Sequence, residues 1–135
     1  MKKISIVLLT AFILSGCGDK RAEQKAILGD VLKIHEKVMS DDEQLTKNKM
    51  QLDTIIKENK LSKLDSAKLL SAKLVAADSL MDKWMHDFEP DQTKKSTEDA
   101  VVYMKAQKKQ IMAIDSELNA AVKESNQYLI KVKSK

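Results

Sequence analysis

Histidine and methionine side chains are the strongest candidates for chemistry in this 135-residue chain. His35 and Met39 are four residues apart, which places them on adjacent turns of one helix face. Met81 and Met85 repeat this spacing. Imidazole and thioether groups are soft ligands that favour Cu(I) or Ag(I). Methionine also fills irregular gaps in helical cores, so packing without any cofactor is the competing and favoured interpretation.

Three helices must position these side chains. Apolar residues recur at alternating spacings of three and four in segments of about 22–58, 62–88 and 97–132, which is typical of helices that pack along a seam. Three glycines and one proline are too few for a fold with many tight turns. The sequence therefore predicts an all-α fold, an antiparallel three-helix bundle formed by residues 26–135.

Each predicted helix carries one apolar stripe. The three stripes comprise Ile27, Val31, Ile34, Val38, Leu45, Leu52 and Ile55, then Ala67, Leu70, Leu74, Ala77, Met81, Trp84 and Phe88, then Ala100, Met104, Gln107, Ile111, Ile114, Leu118, Ala121 and Tyr128. Asp41 and Asn48 interrupt the first stripe, and Ser40 with Glu43 fits a helix capping box. We therefore expect one helix with a local irregularity near Met39, rather than two shorter helices.

The expected register brings the candidate ligands together. If the first two helices reverse direction near residue 60, residue 35 lies opposite residue 85. If the second reversal lies near residue 92, residue 81 is level with about residue 103. The resulting layer contains His35, Met39, Met81, Met85, His86 and Met104. The predicted metal ligands are His35, Met39, Met81 and Met85, and His86 is expected to be exposed near a helix end.

Composition argues against an enzyme and against a nucleic-acid-binding protein. Phosphate-binding loops and nucleophile elbows need glycine-rich turns, which three glycines do not supply. Neither His35 nor His86 has an obvious nucleophile beside it. Aromatic residues make up only 4% of the chain, too few for a base-stacking surface, and the basic residues form no contiguous stripe. The sequence therefore predicts no enzymatic activity and no nucleic-acid partner.

The start of the chain carries a targeting motif. Met1-Lys2-Lys3 precedes an apolar stretch from Ile4 to Leu14, which is too short to span a bilayer as a permanent helix. Leu14-Ser15-Gly16-Cys17 follows directly and resembles the lipobox of bacterial lipoproteins. The resemblance implies cleavage before Cys17 and acylation of its thiol.

This motif predicts the domain organisation and the location. Residues 1–16 are the expected signal peptide, and residues 17–25 are the expected lipidated cysteine and polar tether. Removal of Lys2 and Lys3 leaves 22 basic against 20 acidic side chains, so the mature chain is nearly neutral. The residue after Cys17 is glycine rather than aspartate, which favours the outer membrane, facing the periplasm.

Longer strings of residues resemble a known family. They are Ile34-His35-Glu36-Lys37-Val38-Met39, then Met81-Asp82-Lys83-Trp84-Met85-His86-Asp87-Phe88-Glu89-Pro90, then Gln107-Lys108-Lys109-Gln110-Ile111. Together they resemble short lipoproteins from Bacteroidota that are often called "viral A-type inclusion protein". Family members often have proline where Ser40 stands in this chain. The resemblance implies the helical fold and the envelope location, and it implies no activity.

The expected function is that of a non-enzymatic module for protein interaction or spacing. Its partners would be the membrane, through lipid on Cys17, and an unidentified envelope protein. Apolar residues beside the stripes could supply an exposed strip for that protein: Leu28, Leu32, Leu69, Val75 and Leu80. The same residues could instead thicken the core, which is the favoured interpretation for most of them. The alternatives are a periplasmic copper- or silver-binding or stress-sensing lipoprotein that uses His35 and the methionines, and a chaperone-like holdase.

Overall fold

A computed structural model describes residues 16–58 and 64–134, with side chains described from residue 18 onward. It contains three helices, α1 (Gly16–Glu58), α2 (Leu64–Asp87) and α3 (Thr97–Lys133). All three pairs of helices pack against each other, and the contact between α1 and α3 is the most extensive. The predicted three-helix bundle is therefore confirmed.

The predicted stripes form the core. The buried members are Ile27, Val31, Val38, Leu45, Leu52, Ala67, Leu74, Ala77, Met81, Trp84, Ala100, Met104, Ile111, Ile114, Leu118 and Ala121. Six further members are half-buried around this cluster: Ile34, Ile55, Leu70, Phe88, Gln107 and Tyr128. Val101, Ser125 and Leu129 are also buried, although the stripes did not include them. Each large apolar side chain removed from water contributes roughly 1.5–3 kcal/mol to folding.

The helix α2 runs antiparallel to α1, whereas α3 runs parallel to α1. Ser71 Oγ donates a hydrogen bond to Asp53 Oδ1 (2.9 Å) across α1 and α2, so late residues of α1 meet early residues of α2. The ion pairs between α1 and α3 instead follow the same order along both helices: Lys20–Glu98 (2.9 Å), Glu23–Lys105 (2.6 Å), Asp30–Lys108 (2.7 Å) and Lys37–Asp115 (2.6 Å).

Helix α1 is continuous through the position of the expected irregularity. Ser40 lies inside the helix, so the predicted capping box does not form. The carboxylates of that segment instead pair one turn along the same helix. Asp41 pairs with Lys37 (3.0 Å), and Glu43 pairs with Lys47 (2.6 Å). Such pairs favour the helical backbone, and buried apolar residues on both sides hold it against the other helices.

Helix α1 also begins earlier than expected. It starts at Gly16 rather than near residue 22, so residues 18–25 belong to the helix and pack beside α3 instead of forming a separate tether. Residues 1–15 of the predicted signal peptide and the side chain of Cys17 lie outside the described part of the chain. Within that part, no helix has an apolar stretch that could cross a membrane.

The connection between α2 and α3 spans residues 88–96. The Glu89 backbone N–H donates to the hydroxyl of Tyr103 (2.8 Å), and Gln92 Nε2 donates to the Glu89 carbonyl (2.7 Å). Ser96 caps α3, because its Oγ accepts a hydrogen bond from the Asp99 N–H (3.1 Å). These bonds fix the connection against the first turns of α3.

Candidate functional site

The closest pair among the predicted ligands is His35 on α1 and Met85 on α2. His35 Nε2 lies 3.4 Å from Met85 Sδ. This contact confirms the predicted register, in which residue 35 lies opposite residue 85. The register could be predicted because the helices reverse direction near residue 60, with few residues between them.

The surroundings of this pair are aromatic on one side. The imidazole of His35 lies 5.9 Å from the ring of Trp84, tilted by 34°. Trp84 is buried and stacks on Phe88 at 4.7 Å, and its Nε1 donates to Gln107 Oε1 (2.8 Å). His35 is half-buried and Met85 is 38% exposed, so solvent reaches both side chains.

The geometry of the pair fits two kinds of chemistry. At 3.4 Å the His35 N–H can donate a weak hydrogen bond to the Met85 sulfur. Alternatively, two ligands at bond lengths of about 2.0–2.3 Å to one ion lie about 3.5 Å apart at a tetrahedral angle. The same separation therefore suits two ligands of a single soft metal ion.

The other two predicted ligands lie one turn away. Met39 follows His35 on α1 and is 42% exposed, whereas Met81 precedes Met85 on α2 and is buried in the core. Burial against apolar neighbours gives Met81 a packing role. His86 is exposed near the end of α2. The structure thus brings together two of the four predicted ligands in direct contact.

Met104 lies outside this layer, contrary to the prediction. Trp84 bonds to Gln107, and Phe88 stacks on Tyr103 at 6.5 Å. Both pairs place residue 81 level with about residue 110 rather than 103, a displacement of about two helical turns. The connection 88–96 continues beyond the end of α2 before α3 begins, so the midpoint of the connection does not mark the level at which the two helices pair.

Three carboxylates lie further along the same α1–α2 seam. Asp78 is half-buried, and this burial, together with the nearby charges of Asp42 and Asp82, raises its pKa, while Lys49 opposes the shift. The described side chains include no group of three or more histidine, cysteine, aspartate or glutamate residues that could hold a metal ion. A metal at His35 would therefore depend on thioether ligands.

A buried polar contact joins α1 to α3 in the other half of the bundle. Asn48 Nδ2 donates to Ser125 Oγ (2.8 Å) and to the Val122 carbonyl (3.3 Å), while its Oδ1 accepts from Gln44 Nε2 (2.8 Å). Asn48 is a polar residue that interrupts the first apolar stripe in the sequence. Its side chain is nevertheless buried in the core. The sequence did not indicate its partner, because serine has no hydrophobic signal.

Several apolar side chains remain outside the core. Four of the five predicted strip residues are exposed, namely Leu32, Leu69, Val75 and Leu80, whereas Leu28 packs against the core. Val102, Met112 and Ile130 are exposed as well, and the sequence did not single them out. The exposed apolar residues lie on all three helices.

A shallow groove runs between α2 and α3. Its volume is about 170 Å³, and alanines line it on both helices: Ala76, Ala77, Ala120 and Ala121. Leu80 borders the groove and is 46% exposed. An ion pair between Lys73 and Glu124 (2.6 Å) lies beside it. Small side chains with an adjacent leucine suit contact with an apolar side chain of another protein.

The chain was compared with known proteins. No protein-family model matches it, and it has no significant match among curated proteins or solved structures.

Proposed function

We propose that this protein is a lipoprotein of the bacterial envelope, anchored through lipid on Cys17 and without enzymatic activity. The observation that carries the proposal is the motif Leu14-Ser15-Gly16-Cys17 after a positively charged start and a short apolar stretch. Two or three acyl chains anchor a protein stably, because each buried methylene contributes about 0.8 kcal/mol. The resemblance to Bacteroidota lipoproteins supports the envelope location, and Gly18, rather than aspartate, directly after Cys17 favours the outer membrane.

The described helices support a spacer or interaction role for the anchored domain. Helix α1 includes residue 17 and continues to Glu58, so an anchor at Cys17 would attach directly to the bundle. Exposed apolar side chains and the groove bordered by Leu80 give other proteins surfaces to bind. We propose that the partner is another envelope protein that contacts the α2–α3 groove.

Metabolic labelling tests the anchor. Cells producing the full chain are fed an alkyne fatty acid, and the membranes are separated on a density gradient. We expect labelled protein in the outer-membrane fraction and no label on a Cys17→Ser variant. A Gly18→Ala variant serves as the matched control and keeps both the label and the location. An unlabelled wild-type protein would contradict the anchor.

Site-specific photo-crosslinking tests the interaction role. A photoreactive amino acid at Leu80 should give one discrete crosslinked species in cells, whereas the same group at the exposed Lys68 on α2 should not. An Ala76→Glu substitution places a charge in the groove and should abolish the crosslink from Leu80. Identical crosslinking patterns from both positions would contradict a partner at this groove.

A second candidate function is binding of a soft metal ion by His35 and Met85, and their 3.4 Å contact favours it. Titration of the full chain with Cu(I), Cu(II) and Zn(II) can be followed through Trp84 fluorescence, because this ring lies 5.9 Å from His35. We expect saturable one-to-one quenching by Cu(I).

Matched variants decide whether the signal comes from this pair. His35→Ala or Met85→Ala should abolish quenching by Cu(I), whereas Met112→Ala, which removes another exposed methionine, should not. A flat titration of the wild-type protein would exclude the metal function. If Met112→Ala reduced the quenching by Cu(I) as much as Met85→Ala does, copper would bind the exposed methionines without selectivity.

A further inference from the structure

Apolar side chains flank the His35–Met85 contact on the exposed side of α1 and α2. Leu32 and Met39 lie three residues before and four residues after His35, so they share its face of α1. Leu32 is 45% exposed, Met39 42% and Met85 38%. His35 itself lies 5.9 Å from the ring of the buried Trp84. Leu32, Met39 and Met85 therefore form an apolar patch over the seam between the two helices, called the seam patch below.

The seam patch consists largely of side chains that adapt to a partner. Methionine is unbranched and polarizable, so it fits apolar surfaces of different shapes and is common where proteins bind varied partners. Neither Met39 nor Met85 belongs to the buried core. Apolar side chains on two adjacent helices are suited to contact with the apolar side of a third helix.

Carboxylates continue the same two helix faces. Asp42 lies three residues after Met39, Asp82 three residues before Met85, and Asp78 four residues before Asp82. None of the three carboxylates forms an ion pair with any side chain that the structure describes. Burial, together with the charges of Asp42 and Asp82, raises the pKa of Asp78, as expected where negative charges lie close together.

The basic residues nearby leave this face negative. The nearest lysines are engaged by other carboxylates: Lys37 by Asp115 (2.6 Å), Lys49 by Asp53 (2.6 Å) and Lys83 by Asp87 (2.7 Å). Lys33 lies two residues before His35 and so on another face of α1. Lys25 and Lys68 lie seven and ten residues beyond the stretches 32–42 and 78–85, at least about 10 Å along the helix axes. His35 and His86 add no formal charge at pH 7.

We propose that this face of α1 and α2 binds a basic amphipathic helix of another polypeptide. The apolar side of that helix contacts Leu32, Met39 and Met85, and its lysine or arginine side chains reach Asp42 and Asp82. The stretch from Leu32 to Asp42 is about 15 Å long, which matches about three turns of a bound helix. An apolar side with basic residues opposite is the pattern of membrane-active cationic peptides.

This face is separate from the α2–α3 groove proposed for an envelope partner. Ala76 and Ala120 line that groove, on the sides of their helices that face away from α1. Ala76→Glu, which is expected to block the groove, should therefore leave binding of the basic helix unchanged. Helix binding also needs no metal, so a copper chelator distinguishes it from the metal function.

Surface plasmon resonance with a synthetic helix tests the proposal. The full chain is captured through a tag, and the detergent is then washed away, because amphipathic peptides bind micelles. The probe contains only leucine and lysine, with the lysines on one side, and the buffer contains a copper chelator. We expect saturable one-to-one binding that weakens as salt is added. The same residues in shuffled order, and a helix of leucine and glutamate, should not bind saturably.

One pair of variants tests the seam patch. Leu32→Gln with Met39→Gln should weaken binding of the leucine–lysine helix about tenfold, because two apolar contacts are lost. Leu69→Gln with Met112→Gln removes the same two residue types from other exposed positions and should bind the helix as the wild type does.

A second pair tests the carboxylates. Asp42→Asn with Asp82→Asn should weaken binding of the helix about tenfold and reduce its dependence on salt. Asp65→Asn with Glu117→Gln removes two exposed carboxylates elsewhere and should change neither property.

The outcomes separate this face from unspecific adsorption. Absence of saturable binding, equal binding of the shuffled peptide, or equal weakening in either control pair would each overturn the proposal. Wild-type affinity in a Leu32 and Met39 double variant that circular dichroism shows to be folded would overturn it as well. Loss of binding in Ala76→Glu would assign the helix to the α2–α3 groove instead and likewise contradict this face.

Discussion

The two halves of the bundle are packed with different side chains. The proximal half (residues 18–39 and 81–114) holds stacked rings, with Trp84 4.7 Å from Phe88. The distal half (residues 45–58, 64–77 and 118–133) has small core side chains such as Ala67 and Ala121, and a buried Asn48–Ser125 contact. Small side chains allow helices to approach closely, whereas the N–H of a buried tryptophan and the O–H of a buried tyrosine need hydrogen-bond partners.

The candidate metal ligands and a cavity near Arg21 both lie in the proximal half. The His35–Met85 contact lies beside Trp84, and the cavity near Arg21 lies next to the connection after Phe88. The aromatic groups also need hydrogen bonds, such as that from Trp84 Nε1 to Gln107. The comparison shows that a buried polar contact joins α1 to α3 in the distal half, while polar and soft ligand atoms in the proximal half remain accessible to solvent.

The largest expected effect comes from removing the central ring of the proximal half. Trp84→Ala should lower the free energy of unfolding by about 3–5 kcal/mol, because it leaves a cavity and removes the partner of Gln107. Urea denaturation followed by circular dichroism measures the loss. His86→Ala, two residues along the same helix and exposed, is the control and should change stability little. If Trp84→Ala lowers the free energy of unfolding by less than Leu52→Ala in the distal half does, the aromatic rings do not contribute most to stability.

Asn48 tests whether the distal half depends on its polar contact. Asn48→Ala should cost about 1–3 kcal/mol, because it removes a buried side chain and the acceptor of Gln44. Denaturant unfolding of this variant is compared with that of Asn119→Ala, which removes an exposed amide that bonds within its own helix.

The replacement of both polar partners tests register specificity. A double variant, Asn48→Leu with Ser125→Ala, should recover stability, because apolar pairs can replace buried polar pairs without loss. Its helices should slip in register more readily, as coiled coils do without a buried asparagine. Disulfide trapping between engineered cysteines at Lys37 and Asp115 can detect the shift. An unchanged trapping pattern would show that the apolar stripes alone set the register.

Lys37 tests the exposed ion pairs between α1 and α3. Its Nζ lies 2.6 Å from Asp115 on α3 and 3.0 Å from Asp41 on its own helix, and both carboxylates raise the lysine pKa. Lys37→Ala should lower stability by up to about 1 kcal/mol at low salt and less at high salt. Lys83→Ala removes a pair within one helix and should cost less, so an equal cost would contradict a role in helix pairing.

The smallest expected effect is a gain in stability, unlike the losses expected for the preceding variants. Burial and the nearby Asp42 and Asp82 raise the pKa of Asp78, so the folded protein holds this proton more tightly than the unfolded chain does. The contribution of Asp78 to stability is therefore most favourable below the usual aspartate pKa and declines as the pH rises through the raised value. Asp78→Asn should raise the melting temperature at pH 7.

A comparison across pH isolates the contribution of Asp78. The difference in melting temperature between Asp78→Asn and the wild type should shrink as the solution is acidified through the raised pKa. Glu36→Gln removes an exposed carboxylate from α1 and should show no comparable pH-dependent difference. A destabilised Asp78→Asn variant at pH 7 would show that the carboxylate makes a favourable contact when ionised.

Much of the fold followed from hydrophobic periodicity. The stripes predicted the three helices, and a short reversal near residue 60 placed His35 opposite Met85, as the structure shows. The second register was wrong, because nine residues connect α2 to α3 and their path depends on bonds such as that from the Glu89 N–H to Tyr103. Such bonds join residues far apart in sequence and leave no periodic signal.

The polar sites were harder to predict. Gln92 lies in a connection, where no periodicity indicates burial, and its unpartnered oxygen becomes apparent only when the surrounding walls are known. The start of α1 was misplaced for a related reason. Residues 18–25 lack apolar positions at regular spacing, and ion pairs to Glu98 and Lys105 on α3 help to hold them in the bundle.

The early start of α1 has a mechanical consequence. If the protein is anchored at Cys17 as proposed, a flexible segment after the anchor would let the domain move freely over the membrane, whereas a helix that begins at the anchor would limit its distance from the membrane. Residues 17–58 of α1 span about 63 Å, so, if lipid is attached at Cys17 as proposed, the position of a surface along α1 would set its greatest height above the bilayer. A force that pulls the end of α3 away from the start of α1 would tend to slide these two parallel helices past each other. The four ion pairs described between them would then resist the sliding together.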